Sequence, residues 1–428
     1  MLLALRPPEV AMGQRGRRLR RHLGFFDTVA VALGAIIGAG IFVVLGAVVQ
    51  LAGAAVPIGI LLAAAIGILD GLSSAELGVA FPRVGGTYEF GYDLVRPWVG
   101  FAAGLLYLLA NLTGGAALSL TFAAYLQPLV PGLPLRAVAV GLATVALVVN
   151  LVGAQQSREV NNVLVVFKVA VLATFVGIGV AFAGRWVALT SLPFRPAGIP
   201  AVAALFFFAY SGFGRPVTIV EEIRNPARNL PRSIVAAMAV STVLYVSVAV
   251  VALGLVGVAG LAGQEAPLRV ALVPTGQAWA LFLISVGGVV ATADVLLVGI
   301  WALSRVILAM ARRGDVPQAL GRISARGVPW VAVLASGIVT ILLTATLNFG
   351  PALSASSLST LVYYGITDWV AFSLAPGRRL YPLVVPAVGL IGTAALAFSL
   401  PAQSVAVVAA VLGLGLLYFF LRHRHAGR

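Results

Sequence analysis

The sequence predicts an all-α polytopic membrane protein, and three observations carry that prediction. Of 428 residues, 61% are hydrophobic and only 10% charged, with a mean hydropathy of +1.06; soluble chains carry roughly 25% charged residues. Apolar stretches recur along the whole length, each long enough to cross about 30 Å of hydrocarbon as a helix. Lipid cannot satisfy exposed backbone groups, so such runs must be helical. The third observation is where the charge sits: arginines gather in short loops and tails, in alternation with the apolar runs.

Taken in order, the runs define twelve spans, at about 25–52, 56–80, 98–127, 134–153, 160–183, 199–219, 232–257, 277–311, 329–347, 353–374, 382–400 and 403–421. With both termini on the cytoplasmic side, the inner segments hold twenty-one arginines. The outer loops hold four, Arg136, Arg185, Arg195 and Arg269. That asymmetry follows the positive-inside rule, and a miscount by one span would scramble it. The same rule accounts for the net charge of +15 without nucleic acid, since no soluble domain or aromatic interleaving accompanies the basic residues. The opening MLLALRPPEVAMGQRGRRLRRHLG reads as a basic tail rather than a cleavable signal. The expected organisation is a cytoplasmic tail over 1–22, a first repeat over 23–190, a second over 191–378, two further spans over 379–421 and a short tail over 422–428.

Residue chemistry narrows the function. The chain has no cysteine, which excludes disulfides, thiolate metal sites and cysteine nucleophiles. The three histidines, His22, His423 and His425, lie in the tails, so histidine catalysis within the membrane is excluded. No cofactor or metal is expected; the expected partners are a small-molecule substrate, protons and membrane lipid.

Two spans carry signs of a break. LGAIIGAGIF (33–42) places Gly34, Gly38 and Gly40 in the middle of span 1, and FFFAYSGFGRP (206–216) places Gly212, Gly214 and Pro216 in span 6. Glycines of this kind also serve close helix packing, and both readings fit the pattern. A proline, however, removes a backbone donor and clashes with the preceding turn. Interrupted segments at corresponding positions of two halves point to an inverted-repeat transporter with its site at the midplane. Spans 1 and 6 run in opposite directions, as inversion requires. Unwinding frees amides and carbonyls; the half-helix N-terminus suits a carboxylate and the carbonyls suit an ammonium group. A zwitterionic amino acid matches both.

The motifs GAIIGAGIF (34–42), SAELGVAFPRVGGTYEF (74–90), FFFAYSGF (206–213), VEEIRNPARNLPRSI (220–234), SRVILAMARRGDVPQAL (304–320) and LSTLVYYGITDWVAF (358–372) resemble those of the amino acid–polyamine–organocation (APC) superfamily, in its bacterial cationic-amino-acid-transporter-like branch. The resemblance implies a LeuT-type fold of five plus five inverted spans and two peripheral ones, in the prokaryotic cytoplasmic membrane, and transport of amino acids or related amines. It implies that the substrate carboxylate meets the backbone around Ile37, Gly38, Ala39, Gly40 and Ile41. The amino group meets carbonyls near Phe208, Ala209 and Ser211, beside Gly212, with Phe208 as a lid. Tyr210 and Phe213 are either neighbours of this site or core aromatics. Asn111 and Thr113 of span 3 are candidates for the side-chain pocket. Arg215 is a candidate for the inner pathway. The Glu76, Gly85, Gly86 and Tyr88 region, and Glu221 and Glu222 with Arg224, Arg228 and Arg232, read as inner-face architecture. Pro216 and the intramembrane carboxylates Asp70, Asp294 and Asp368 depart from the family pattern; such carboxylates are functional hypotheses by default, with a structural pairing to arginine as the alternative.

Lys168 is the chain's only lysine, about two turns into span 5. It either snorkels to the inner headgroups or, as NNVLVVFK resembles the subset of the superfamily with a lysine there, stands between spans 1 and 8 where sodium-coupled relatives bind an ion. Lysine can lose its proton when buried whereas arginine does not, so Lys168 is expected to couple transport to protons. Asp294 complicates this: paired with Lys168, it holds the lysine charged, which favours a proton-independent exchanger or facilitator. A non-transporting amino acid sensor is the distant alternative, and no enzymatic constellation is present.

Overall fold

The computed structural model describes residues 21–82, 86–153, 158–187 and 189–426. The predicted basic tail up to Arg20, and Arg83, Gly85 and Arg428, lie outside the described residues. Among these residues the chain forms helices and no strand. The boundaries follow local chemistry. α1 (Phe25–Ile36) is opened by Asp27, whose carboxylate accepts the Gly24 amide at 2.8 Å, a side-chain cap for an otherwise orphaned donor. α2 (Gly40–Ala52) follows after three residues, at an angle of 49° to α1. Proline in the first turn, where its missing N–H costs nothing, opens α3 (Val56–Ala80), and after the short α4 (Thr87–Leu94) also α5 (Pro97–Leu126). α6 (Leu135–Val152) ends on Gly153 in the left-handed conformation, a common helix stop. α7 (Arg158–Ala181) and α8 (Ile199–Tyr210) follow.

α8 passes directly into a 3-10 segment, Ser211–Glu222, that contains Pro216. Runs of this helix type longer than three or four residues are uncommon and mark strain or function. α9 (Pro226–Leu261) is interrupted at Gly257, whose φ is 65°. The short α10 (Pro267–Leu272) leads to α11 (Ala278–Arg313), which ends on left-handed Gly314. The chain closes with α12 (Trp330–Thr346), α13 (Phe349–Phe372), α14 (Val384–Ala397) and α15 (Ala402–Ala426).

Each of the twelve ranges predicted as spans contains a helix. Among the described residues, eight helical stretches can cross a membrane by length and composition, nine with α1 and α2 taken as one bent span. α12 and α14 are apolar but shorter, at 17 and 14 residues, and α13 is rich in serine. Large apolar side chains remain exposed on the outer faces, among them Leu414 and Leu417 of α15, Ile391 of α14 and Phe282 of α11, as lipid-facing surfaces require. The protein is a multi-pass membrane protein.

The packing positions the two broken stretches. α5 lies against α13 and α11, and α3 against α8 and α9. α1 packs on α9 and on the 3-10 segment, and α2 packs on α8. The half before one break therefore meets the half after the other, so the two run antiparallel with their breaks level.

Candidate functional site

Close approach of backbone fixes the centre. A Cβ on Gly40 would overlap Ala209 Cα, and one on Gly212 would overlap the Ala35 carbonyl. Only glycine lets the start of α2 lie on the end of α8 and the 3-10 segment lie on α1. On the other side, Gly38 abuts Val295 of α11, and Gly34 abuts Val165 and Asn161 of α7. The glycines thus serve both readings: they pack closely and they flank a break. Gly38, Ala39, Gly40 and Ile41 are buried, as is Ile37, while Phe208, Ser211 and Gly212 are half-buried.

The hydrogen bonds divide the predicted contacts into engaged and open ones. The Ile37 amide donates to the Leu33 carbonyl and the Gly38 amide to the Ile36 carbonyl, both at 2.7 Å. Of the stretch predicted to meet a carboxylate, Ala39, Gly40 and Ile41 stand at the start of α2. The first-turn amides there have no acceptor within the helix and the dipole is positive. Among the carbonyls, that of Phe208 accepts both the amide and the hydroxyl of Ser211, which occupies both its lone pairs. The Ala209 carbonyl is approached by the Tyr245 hydroxyl at 3.4 Å, and the Ser211 carbonyl accepts the Tyr364 hydroxyl at 3.0 Å. The Phe208 ring lies over Gly114 of α5, close to Ser356 of α13.

Lys168 does not snorkel. It is fully buried in α7, and its Nζ donates to Asp294 Oδ2 of α11 at 2.8 Å. Asp294 is 8% exposed. α7 packs on both α1 and α11, and Val165, one turn before Lys168, touches Gly34. Val295, next to Asp294, touches Gly38. The pair therefore sits behind the broken part of α1. Arg215, just past the second break, lies within electrostatic reach of Asp294 and of Tyr107.

Asn111 donates to the Tyr107 carbonyl one turn back, at 2.9 Å, and its Oδ1 faces Gly299 of α11; Thr113 likewise bonds its own helix, to the Leu109 carbonyl. Tyr210 and Phe213 are buried core aromatics, Tyr210 with its hydroxyl on Thr242. Asp70 and Asp368 stand apart from this site, together against α14. Glu76 accepts the amides of Leu380 and Tyr381 and ties α3 to the segment before α14, the architectural role expected for it. Tyr88 donates to Asp315 Oδ2 at 2.7 Å, and Tyr92 donates to the other oxygen of the same carboxyl group. Glu222 lies 3.8 Å from His22, and its carbonyl accepts the His22 and Leu23 amides.

Sequence reasoning missed Tyr245 and Tyr364. The Tyr245 hydroxyl donates to the Ile36 carbonyl at 2.7 Å, the last of α1, and so stabilises the break from outside. A tyrosine in an apolar run has no pattern that separates this role from core packing.

The sequence profile of the amino acid permease family matches residues 27–379. The chain belongs to the amino acid permease family, within the APC superfamily. It is 36% identical to an uncharacterised transporter of Mycobacterium tuberculosis, over 94% of this chain and 92% of that protein. Identity to a branched-chain amino acid permease of Bacillus subtilis is 31%, over 84% of this chain and 81% of the permease. With the chloroplastic cationic amino acid transporter 9 of Arabidopsis thaliana it shares 34%, over 75% of this chain and 61% of the transporter. The family and these relatives identify an amino acid transporter.

Proposed function

We propose that this permease carries amino acids across a prokaryotic cytoplasmic membrane by alternating access, in a LeuT-type arrangement of twelve spans with both termini inside. The antiparallel meeting of the two broken stretches supports this most directly, and the pairing of α3 with α9, α5 with α11 and α6 with α12 repeats the same inverted correspondence. The substrate carboxylate binds the amides of Ala39, Gly40 and Ile41, and its ammonium group the carbonyls of Ala209 and Ser211. The Phe208 ring closes over it. Half-buried Tyr107, Asn111, Gly212, Arg215 and Gly299, against buried Ile41–Leu45, support an approach from the α1 side of the break.

The 2.8 Å pair supports the fixed-cation reading of Lys168. With Asp294 as its counter-ion, the ammonium replaces a coupling ion and carries no proton through the cycle, which gives exchange or facilitated movement. Proton symport through Lys168 is the second reading. Its complete burial favours it, because a buried ammonium survives only while its counter-ion stays. Counterflow of radiolabelled leucine and arginine in proteoliposomes, with and without a pH gradient, separates the two. Equal rates are expected on the first reading; loss of uptake without the gradient overturns it. Absence of counterflow for every amino acid, together with no thermal shift by any of them, overturns the substrate class.

A further inference from the structure

Asp70 in α3 and Asp368 in α13 are both fully buried, and both pack onto one glycine. A Cβ on Gly389 of α14 would stand 2.5 Å from Asp368 Oδ2 and 2.9 Å from Asp70 Oδ1. None of the four carboxylate oxygens meets a hydrogen-bond donor among the described residues. Ser73, one turn beyond Asp70, is also fully buried and faces Asp368, with its hydroxyl unpartnered. This is the opposite of what buried polar groups do, since the great majority are paired.

The neighbours bring no compensating charge. Tyr364, one turn before Asp368, is the titratable group that faces Asp70, and its hydroxyl is engaged by the Ser211 carbonyl. Glu76 lies further along α3, held by two amides. From α8, α9, α14 and the 3-10 segment no charged side chain acts on either carboxyl group among the described residues. Two ionised carboxylates here would repel each other across a dry interface, at a cost that fixes one of them in its neutral form. A neutral carboxyl is a donor, and the charged acceptor opposite it among the described residues is the other carboxylate.

We propose that Asp70 and Asp368 form a proton-binding site, separate from Lys168, in which one proton is shared between the two carboxyl groups. A proton fits better than a metal cation. The set offers two carboxylates and one hydroxyl, whereas hard cations take six or more oxygens, and Gly389 closes the space between them. The site joins a helix of the first predicted repeat to one of the second, so any displacement of α3 against α13 changes the separation of the carboxyls and with it the hold on the proton. This goes beyond the transport reading above and does not depend on it.

Infrared difference spectroscopy on the full-length protein in lipid tests it without any substrate. At neutral pH the wild type should show the carbonyl stretch of a protonated carboxyl group that shifts in deuterium oxide. The Asp70→Asn/Asp368→Asn double variant should lose it, and Lys168→Ala should keep it. In Gly389→Ala the methyl group parts the two carboxyls, and the band should vanish at a lower pH than in the wild type. Absence of the band in wild type, or its persistence in the double variant, overturns the proposal. Replacement of the band by a carboxylate signal on addition of sodium at constant pH also overturns it, in favour of a cation site. The single Asn variants, whose amides keep a hydrogen bond across the pair, provide folded controls if the double variant does not fold.

Discussion

Two buried carboxylates in this molecule keep opposite company. Asp294 faces the ammonium of Lys168 at 2.8 Å; Asp70 faces Asp368 and, among the described residues, no cation. An ion pair in a low-dielectric interior is held because each charge cancels the other's desolvation, and it fails when one member is removed. A like-charged pair needs no removal to be unstable; it needs a proton. On the readings proposed above, the first pair is a fixed dipole and the second a vessel for a titrating group, and the difference lies in what stands opposite.

The largest effect should come from breaking the first pair. Asp294→Ala leaves a fully buried ammonium without a partner, which costs about 3–5 kcal/mol for a buried pair. Its thermal unfolding in detergent should fall accordingly, and a Lys168→Met/Asp294→Leu double variant should recover most of the loss. If the single variant is as stable as wild type, the ammonium has another counter-ion and the comparison collapses. Next in size is Gly40→Ala, where the new methyl group meets Ala209 Cα. Overpacking of this kind costs roughly 1–3 kcal/mol, and amino acid binding should be abolished, read as a lost thermal shift with leucine and arginine.

Asp70→Asn sharpens the contrast from the other side. The amide takes over the donor role of the shared proton, so stability should stay within about 1 kcal/mol of wild type, the worth of one hydrogen bond. A loss as large as that of Asp294→Ala would mean that Asp70 is paired with a cation after all. Outside the membrane-spanning part, Tyr88→Phe in α4 removes one hydrogen bond to the buried Asp315 carboxyl group, which still accepts from Tyr92, for about 1.5–3 kcal/mol. Burial, and then the bond to Asp315, push the Tyr88 hydroxyl well above the usual tyrosine range. It therefore keeps its proton through the physiological range. The stability difference between wild type and Tyr88→Phe should be flat with pH there.

Composition and periodicity made most of the fold legible. The apolar lengths gave α3 as 56–80, matching its observed range, and placed α5, α6 and α11 to within two residues. The breaks were readable because glycine and proline act locally. Lys168 stood out through its uniqueness, and its counter-ion was already the alternative considered. What could not be read is what depends on distant pairing. Asp70 and Asp368 were each conspicuous, but nothing in a linear chain says that α3 and α13 meet across Gly389. Nor could the pattern say which freed backbone groups remain free. The Phe208 carbonyl is closed by Ser211, and the Ile37 and Gly38 amides turn back onto α1, through local geometry that residue types do not fix.

The Tyr245 hydroxyl reaches both breaks, 2.7 Å from the Ile36 carbonyl and 3.4 Å from that of Ala209. A phenol has a single hydrogen to donate, so the two acceptors are rivals for it. While α1 holds that hydrogen, the Ala209 oxygen does without it. Should α1 draw away, the rotor turns and the same oxygen is quenched. One rotating bond thus ties the electrostatics of the second break to the position of α1.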